Sequence, residues 1–176
     1  LVRGRRSVRQ YRDRNVEPTL LQELLSSLAN GPTGVNRRAL TFSVIADKAV
    51  MQRFRERAMS ELAAAHAGGR IPERFAYFGG VVERSLATGR DLILRGAPHA
   101  LVVSAPPDAP CPHEDVVLTL AYFELLAQSA GLGTVWCGLM KLAVGVPPDL
   151  KAALGVRADH LSYCMLFGYP AVRYAR

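Results

Sequence analysis

The chain has 176 residues, 49% of them hydrophobic, and carries a formal net charge of +7. Its length predicts one domain spanning residues 1–176, and the apolar fraction excludes an intrinsically disordered protein. No apolar run reaches the length of a membrane span, and no signal peptide is evident at the basic start of the chain. Three widely spaced cysteines form neither a disulfide framework nor a zinc pattern, which indicates a reducing cytoplasm and no metal site.

The first segment, residues 2–16, is strongly basic. Asp13 alone opposes its six arginines, which are Arg3, Arg5, Arg6, Arg9, Arg12 and Arg14. A run of like charges is typical of a solvated arm or a nucleic-acid tail. Val8, Tyr11 and Val16 lie among the arginines, however, and their apolar side chains favour a segment that docks on the rest of the protein.

The elements that follow in the first half are predicted from the spacing of apolar residues. A helix with a leucine stripe begins at Pro18 and ends at the Asn-Gly-Pro sequence of residues 30–32. Residues 41–45 alternate as a strand. Asp47 is placed to cap a second helix, and a third is expected over residues 72–88.

The second half of the chain alternates between buried strands and helices. Strands are expected over residues 99–104, 132–137 and 160–167, because each is a short apolar run bounded by turn residues. A short helix is expected after the proline pair at 147–148. This alternation predicts an α+β fold in which layers of helices cover one sheet.

One predicted helix, over residues 114–130, is apolar on nearly every side. Such a helix must be covered all round. In a domain of this size a neighbouring subunit is a natural cover, and we expect Phe123 and Leu126 to take part in that contact.

The sequence Arg-Arg-Ser-Val-Arg at residues 5–9 has the chemistry of an anion clamp. Guanidinium groups bind phosphate bidentately, and a hydroxyl donates one further hydrogen bond. In an extended chain Arg5, Ser7 and Arg9 share one face. The residues themselves leave two interpretations open, a clamp for a phosphate or carbonyl group and a solvated basic arm.

Two glycine-rich turns offer a second kind of ligand contact. The turn at residues 30–36 lets backbone N–H groups approach a ligand closely, and Asn36 has both a donor and an acceptor for the edge of a ring. In the turn at residues 131–139, Gly138 permits the backbone to pass beside a flat ligand. Neither turn has the pattern of a Walker loop or a dinucleotide fingerprint.

In their order and separations these motifs resemble the nitroreductase family of flavoproteins. The resemblance runs from residue 5 to about residue 173 and includes the sequences at 5–9, 32–36, 131–136 and 168–170. It implies an α+β fold, a three-layer α/β/α sandwich with a mixed, mostly antiparallel sheet, which works as a homodimer. Its cofactor is expected to be FMN rather than FAD, because the chain has a phosphate clamp and no dinucleotide fingerprint.

The resemblance also implies a set of flavin contacts. The basic residues and serine of the first segment contact the flavin, the turn contacts the flavin bound mainly by the other subunit, and backbone near residue 138 lies beside the ring. One of the two C-terminal arginines reaches the phosphate, and Arg90 is placed at the pyrimidine edge. The residues expected to bind the cofactor are Arg5, Arg6, Ser7, Arg9, Pro32, Thr33, Gly34, Asn36, Arg90, Gly138, Leu139, Arg173 and Arg176.

The implied chemistry belongs to the flavin, and no catalytic side chain is expected beyond Arg9 as an electrostatic stabiliser of negative charge on the ring. NAD(P)H is the expected electron donor. A ferredoxin-type donor is a second expectation, because residues 90–98 and 168–176 resemble a subgroup that is often fused to a ferredoxin-like iron–sulfur domain, which would lie upstream of Leu1. Expected acceptors are nitroaromatics, quinones or other activated small molecules. Residues 37–40 depart from many relatives and leave the acceptor open.

Two alternative functions stay open. Within the same fold, relatives act as reductive dehalogenases or modify the flavin itself. From another class, the arginine-rich start is compatible with a basic nucleic-acid-binding module, although the chain lacks the interleaved aromatic residues that such modules present.

Overall fold

Residues 2–172 are described by the computed structural model of the protein, and they form helices and strands in alternation. The helices are α1 (Pro18–Leu28), α2 (Lys48–Ala67), α3 (Ala76–Thr88), α4 (Pro112–Ser129), α5 (Gly138–Gly145) and α6 (Pro148–Ala153). The strands are β1 (Thr41–Ile45), β2 (His99–Ala105), β3 (Gly133–Trp136) and β4 (Leu161–Gly168). Short 3-10 turns occur at Val2–Gly4, Gly34–Asn36 and Glu73–Phe75.

The four strands form one sheet in the order β1-β2-β4-β3, and all of their pairings are antiparallel. Near its middle, Val102 of β2 faces Ser43 on one side and Cys164 on the other. The first segment adds a parallel bridge between Ser7 and Thr134 along the outer edge of β3. The four named strands thus form an antiparallel sheet, and within the described residues the parallel component that the family resemblance implies is limited to this one isolated bridge.

Helices cover both faces of this sheet. Along β2, Ala100 and Val102 belong to the core that α2, α3, α5 and α6 share, whereas Leu101 and Val103 belong to the core formed with α1 and α4. Successive side chains of a strand point to opposite faces, so an uninterrupted apolar strand supplies both cores at once. The predicted three-layer sandwich is confirmed.

Most of the expected elements form where the sequence places them. Strand β1 matches its predicted bounds, and the Asp47 carboxylate caps α2 by accepting hydrogen bonds from the backbone of Ala49 and Val50. Helix α5 was not expected, because its eight residues, which include a glycine at each end, are too few to show a helical period. The predicted helix over 72–88 divides into a 3-10 turn and α3.

A buried histidine fastens the end of the first segment to the sheet. His99 is fully buried, and its Nε2 accepts a hydrogen bond of 2.9 Å from the backbone N–H of Val16. Its Nδ1 lies 3.3 Å from the Ile45 carbonyl oxygen and must donate, since Nε2 is the acceptor. Burial lowers the pKa of His99, so the ring is held in its neutral form.

Helix α4 is covered on one side only. Phe123 is fully buried in the core shared with α1, so the expectation that it contacts a second subunit is wrong, and Leu126 is half-buried against the same core. Leu118 and Tyr122 are 41% and 43% exposed, and they lie one helical turn apart. The uncovered apolar face of α4 is therefore centred on Leu118 and Tyr122.

Candidate functional site

The first segment is docked along the edge of the sheet and is not a solvated arm. The backbone N–H of Val8 donates a 2.8 Å hydrogen bond to the Thr134 carbonyl oxygen, and Val8 itself is buried. The Tyr11 hydroxyl donates to the Val8 carbonyl oxygen at 2.7 Å. Around this anchor Arg5 and Ser7 are half-buried, and Arg9 is exposed. The predicted clamp residues Arg5 and Ser7 are thus half-buried beside β3, and Arg9 follows them at the exposed surface.

The close contact between the first segment and β3 requires glycine at position 133. A β-carbon added to Gly133 would lie 2.6–2.8 Å from the side-chain carbons of Val8, which is closer than real side chains approach. Glycine is favoured at position 131 for a different reason, because this residue, which lies just after the end of α4, has a φ of +76°, in the left-handed region. Sequence reasoning identified this turn but missed the packing role of Gly133, which depends on a residue far away in the sequence.

A buried carboxylate, also missed from the sequence, pairs with Arg5. Glu124 of α4 is 7% exposed, and its Oε1 accepts from Arg5 Nη1 at 3.2 Å. Its Oε2 accepts from the indole N–H of Trp136 at 3.1 Å, and the Thr134 hydroxyl lies 3.5 Å from Oε1. The one sequence signal was an acidic residue in the middle of an apolar helix. Glu124 therefore joins α4, β3 and the first segment.

The turn over residues 32–36 projects from the surface. Val35 and Asn36 both have positive φ, 47° and 54°, and Val35 is 84% exposed. A β-branched residue rarely adopts this conformation, so the turn is held under strain by its surroundings. The hold comes from Asp115, a buried residue of α4 whose Oδ1 accepts a 2.9 Å hydrogen bond from the Gly34 N–H. Pro32 is also exposed, whereas Thr33 is half-buried.

Gly138 and Leu139 form the start of α5, directly after β3. The Cys137 thiol caps this helix by accepting a hydrogen bond from the Met140 N–H at 3.3 Å and lies 3.3 Å from the Ile93 carbonyl oxygen. Burial raises the pKa of Cys137 to about 11, so the thiol is protonated and serves as a helix cap. A β-carbon on Gly138 would lie 3.4 Å from the Tyr163 hydroxyl.

The C-terminal segment runs beside the first segment. The backbone N–H of Arg12 donates to the Tyr169 carbonyl oxygen at 2.8 Å, and the Ala171 N–H donates to the Gln10 carbonyl oxygen at 2.9 Å. Arg14 stacks over the Tyr169 ring, 4.0 Å from its centroid. Two predicted phosphate ligands, Arg173 and Arg176, lie outside the described residues.

Arg90 is not joined to the other predicted residues. It is exposed after α3, and within residues 2–172 no hydrogen bond or ion pair links it to the first segment.

The loop that follows is organised by Asp91, whose carboxylate accepts from the backbone N–H groups of Leu94 and Gly96 at 2.7 and 2.9 Å. Arg55 pairs with the same carboxylate at 2.8 Å. Sequence reasoning missed this Arg55–Asp91 pair.

Cavities adjoin both the first segment and the turn. One of about 460 Å³ lies between Tyr11, Lys48 and Pro98, and another of about 240 Å³ lies under the turn between Thr33 and Phe42. Among the described residues no group of three or more histidine, cysteine or acidic side chains is arranged to hold a metal ion. None of the described helices is long and apolar enough to cross a membrane. The larger cavity is lined by Tyr11, Arg12 and Asp13 of the first segment and not by Arg5, Ser7 or Arg9.

Known proteins that resemble the chain point to one family. The family model described as the nitroreductase family matches residues 2–169. A protein of Methanothermobacter thermautotrophicus described as a candidate NADH dehydrogenase/NAD(P)H nitroreductase is 26% identical over 177 residues, covering 97% of this chain and 75% of that protein.

Solved structures share the fold. The nitroreductase with bound FMN from Bacteroides fragilis has a TM-score of 0.76 at 21% identity, covering 99% of this chain and 89% of that one. The FMN-dependent nitroreductase NfnB from Mycobacterium smegmatis, in complex with NADPH, has a TM-score of 0.69 at 22% identity, covering 97% of this chain and 86% of that one. With nearly all of its described residues matched by the family model, the chain belongs to the nitroreductase family.

Proposed function

We propose that the protein is an FMN-dependent oxidoreductase that takes electrons from NAD(P)H and passes them to a nitroaromatic, quinone or other activated small molecule in two separate half-reactions. The observation that carries this proposal is the docked first segment, which holds Arg5, Ser7 and Arg9 along β3 in a chain of the nitroreductase family. Hydride and electron transfer are supplied by the bound flavin, and the tasks of the protein are to bind, orient and stabilise charge.

The first segment fits the phosphate and the ring edge of such a cofactor. The Arg5 side chain is 42% exposed, and its Nη1 donates a hydrogen bond to the Glu124 carboxylate. A guanidinium with a free edge binds phosphate in a bidentate manner, and the Ser7 hydroxyl adds one hydrogen bond. Arg9 is exposed and makes no hydrogen bond or ion pair within the described residues, so it is available to stabilise negative charge on the ring. Arg6 lies between these residues and supplements the charge.

The remaining predicted contacts complete the proposed site. Gly138 and Leu139 offer the backbone at the start of α5 to the ring, and the strained turn at residues 32–36 presents Asn36 to the flavin of a second subunit. The C-terminal segment runs beside the first segment as far as Ala171, which supports a phosphate contact from Arg173 or Arg176.

We further propose a homodimer built on the uncovered face of α4. Leu118 and Tyr122 are large apolar side chains left exposed on a helix whose other side is fully packed. Such a stripe on a small protein marks a contact with another chain. The buried side of the same helix carries Asp115 and Glu124, which hold the turn and Arg5, so both segments assigned to the flavin are attached to the helix that we propose for the interface.

The electron donor follows from the relatives and not from this chain alone. One relative is described as a NAD(P)H nitroreductase, and NfnB is in complex with NADPH, which supports a nicotinamide donor. The subgroup resemblance of residues 90–98 supports a ferredoxin-type donor as the second candidate. We propose that residues 1–176 form one domain and that this domain works in the cytoplasm, where its three free cysteines would stay reduced.

The direct test is the visible absorption spectrum of the purified protein, followed by chromatography of the cofactor released by heat. We expect a flavin spectrum and FMN, and FAD as the main species would contradict the assignment. Colourless protein that shifts DNA with a steep salt dependence would support the nucleic-acid-binding alternative.

The residue-level test is Arg5→Ala, with FMN affinity measured by fluorescence quenching of the apoprotein. We expect an affinity loss of about 10- to 100-fold, since one charge-assisted contact contributes about 1.5–3 kcal/mol. Arg3→Ala is the matched control, because Arg3 is an exposed arginine of the same segment. Equal affinities in the two variants would mean that only net charge matters and that no clamp exists.

A further inference from the structure

The Glu124 carboxylate is a charged group that is buried in the fold. It lies on the packed side of α4, 7% exposed, with Phe123 and Ala127 of the adjoining core fully buried beside it. A buried carboxylate is tolerated when hydrogen bonds and an opposite charge compensate it. Trp136 and Thr134 supply neutral donors, and Arg5 supplies the one positive charge that pairs with Glu124 within the described residues.

The geometry of the ion pair leaves the outer edge of Arg5 free. The contact uses Nη1, and no other hydrogen bond from this guanidinium reaches the described residues. A guanidinium has five N–H donors in a fixed fork, so a carboxylate on one edge leaves a second edge for another oxyanion. The Arg5 side chain is 42% exposed, whereas the Glu124 side chain is 9% exposed.

We infer that Glu124 is a positioning residue that fixes the Arg5 guanidinium so that its outer edge receives the phosphate monoester of the flavin. This inference rests on the proposed function, in which Arg5 is a phosphate ligand. Arginine in the absence of an inner partner samples many rotamers and must lose that freedom when it binds a ligand. The buried carboxylate removes this freedom beforehand, and Trp136 and Thr134 in turn hold the carboxylate itself.

Three roles of Glu124 predict three different results when its charge is removed. If Glu124 positions Arg5, Glu124→Gln weakens binding of the phosphate. If Glu124 acts only through its negative charge, the same change strengthens phosphate binding, because the site gains one net positive charge. If Glu124 only stabilises the fold, the variant melts earlier but its preference for the phosphate is unchanged.

The experiment compares FMN with riboflavin, which differs from FMN by the phosphate. Dissociation constants of both are measured by fluorescence quenching on apoprotein at about 0.1 M salt, where exposed charges are largely screened beyond 10 Å. The dissociation constant of riboflavin divided by that of FMN measures the preference for FMN, and this ratio isolates the contribution of the phosphate. We expect Glu124→Gln to reduce this ratio by about two- to tenfold, the equivalent of ordering one long side chain on binding, with little change for riboflavin.

Two controls separate charge and stability from positioning. Glu114→Gln removes one negative charge from an exposed position on the same helix, and Leu120→Ala opens the fully buried core beside α4 without touching Arg5. Both should keep the wild-type ratio, although Leu120→Ala should melt earlier. If Glu124→Gln does not fold, Glu124→Asp keeps the charge but shortens its reach, and we expect the same reduced ratio.

The measurements distinguish a failure of the positioning role of Glu124 from a failure of the proposed function. Wild-type protein that binds neither flavin, or that binds FMN and riboflavin equally, would overturn the phosphate clamp itself. Wild-type protein that prefers FMN, together with a Glu124 variant whose ratio is unchanged or increased, would overturn the positioning role alone. A reduced ratio in the Glu124 variant with unchanged controls supports the inference.

Discussion

Gly133→Ala tests the packing on which the proposed site depends. The added β-carbon would lie 2.6 Å from the nearest Val8 carbon, whereas ordinary contact begins at 3.4 Å, so the first segment would have to retreat by about 0.8 Å. Val8 has little room to adjust, because its side chain is β-branched and its backbone N–H is bonded to the Thr134 carbonyl oxygen at 2.8 Å. The substitution therefore creates a steric clash between β3 and the first segment.

The cost can be worked out along two routes. If the segment stays in place, overpacking costs about 1–3 kcal/mol. If it retreats, the 2.8 Å hydrogen bond lengthens past its useful range, which costs about 0.5–1.5 kcal/mol, and part of the burial of Val8 is lost as well. Either route gives about 1–3 kcal/mol, which corresponds to a fall in Tm of about 2–12 °C for a chain of this length.

The assay is thermal unfolding followed by circular dichroism, combined with FMN titration of the apoprotein. Gly80→Ala is the matched control, because Gly80 is an exposed glycine of α3 whose added β-carbon would meet nothing within 4 Å. There the change should be neutral or stabilising by up to about 1 kcal/mol through helix propensity. A Gly133→Ala protein with the Tm and FMN affinity of the wild type would refute the packing argument.

Three further predictions concern the dimer, pH and the cysteines. Replacing Leu118 and Tyr122 with aspartate should turn a dimer into a monomer in light scattering and weaken FMN binding, and a doubly substituted protein that stays dimeric would contradict the proposed interface. Burial lowers the pKa of His99 below the 6.5 of the unfolded chain, so the stability contributed by the neutral ring is complete above pH 6.5 and is lost as the pH falls through the lowered pKa. The urea concentration at the unfolding midpoint should therefore decrease between pH 7.5 and 5.5. Equal midpoints at the two pH values would exclude this effect. Because the pKa of Cys137 is raised to about 11, native protein at neutral pH should add maleimide at the half-buried Cys111 first, and mass spectrometry that finds Cys137 modified first would contradict its role as a buried helix cap.

Local patterns were sufficient for most of the elements. The leucine stripe of α1, the alternation of β1 and the uninterrupted apolar run of β2 are signals that lie within a few neighbouring residues, and each element forms near its predicted bounds. The docking of the first segment was predictable for the same reason, since Val8 and Val16 interrupt a basic run and are buried in the structure. Helix α5 was missed because eight residues contain little more than two turns.

The sequence by itself determined the layered architecture, the family motifs and the apolar residues that dock the basic first segment, because all of these depend on the type and spacing of neighbouring residues. Tertiary structure alone decided which side of α4 is exposed, why residue 133 must be glycine and which charge stands behind Arg5. Glu124 and Arg5 are 119 positions apart in the chain. Their contact exists because β3 holds the first segment beside α4, and no local pattern records which distant side chain will meet a buried carboxylate.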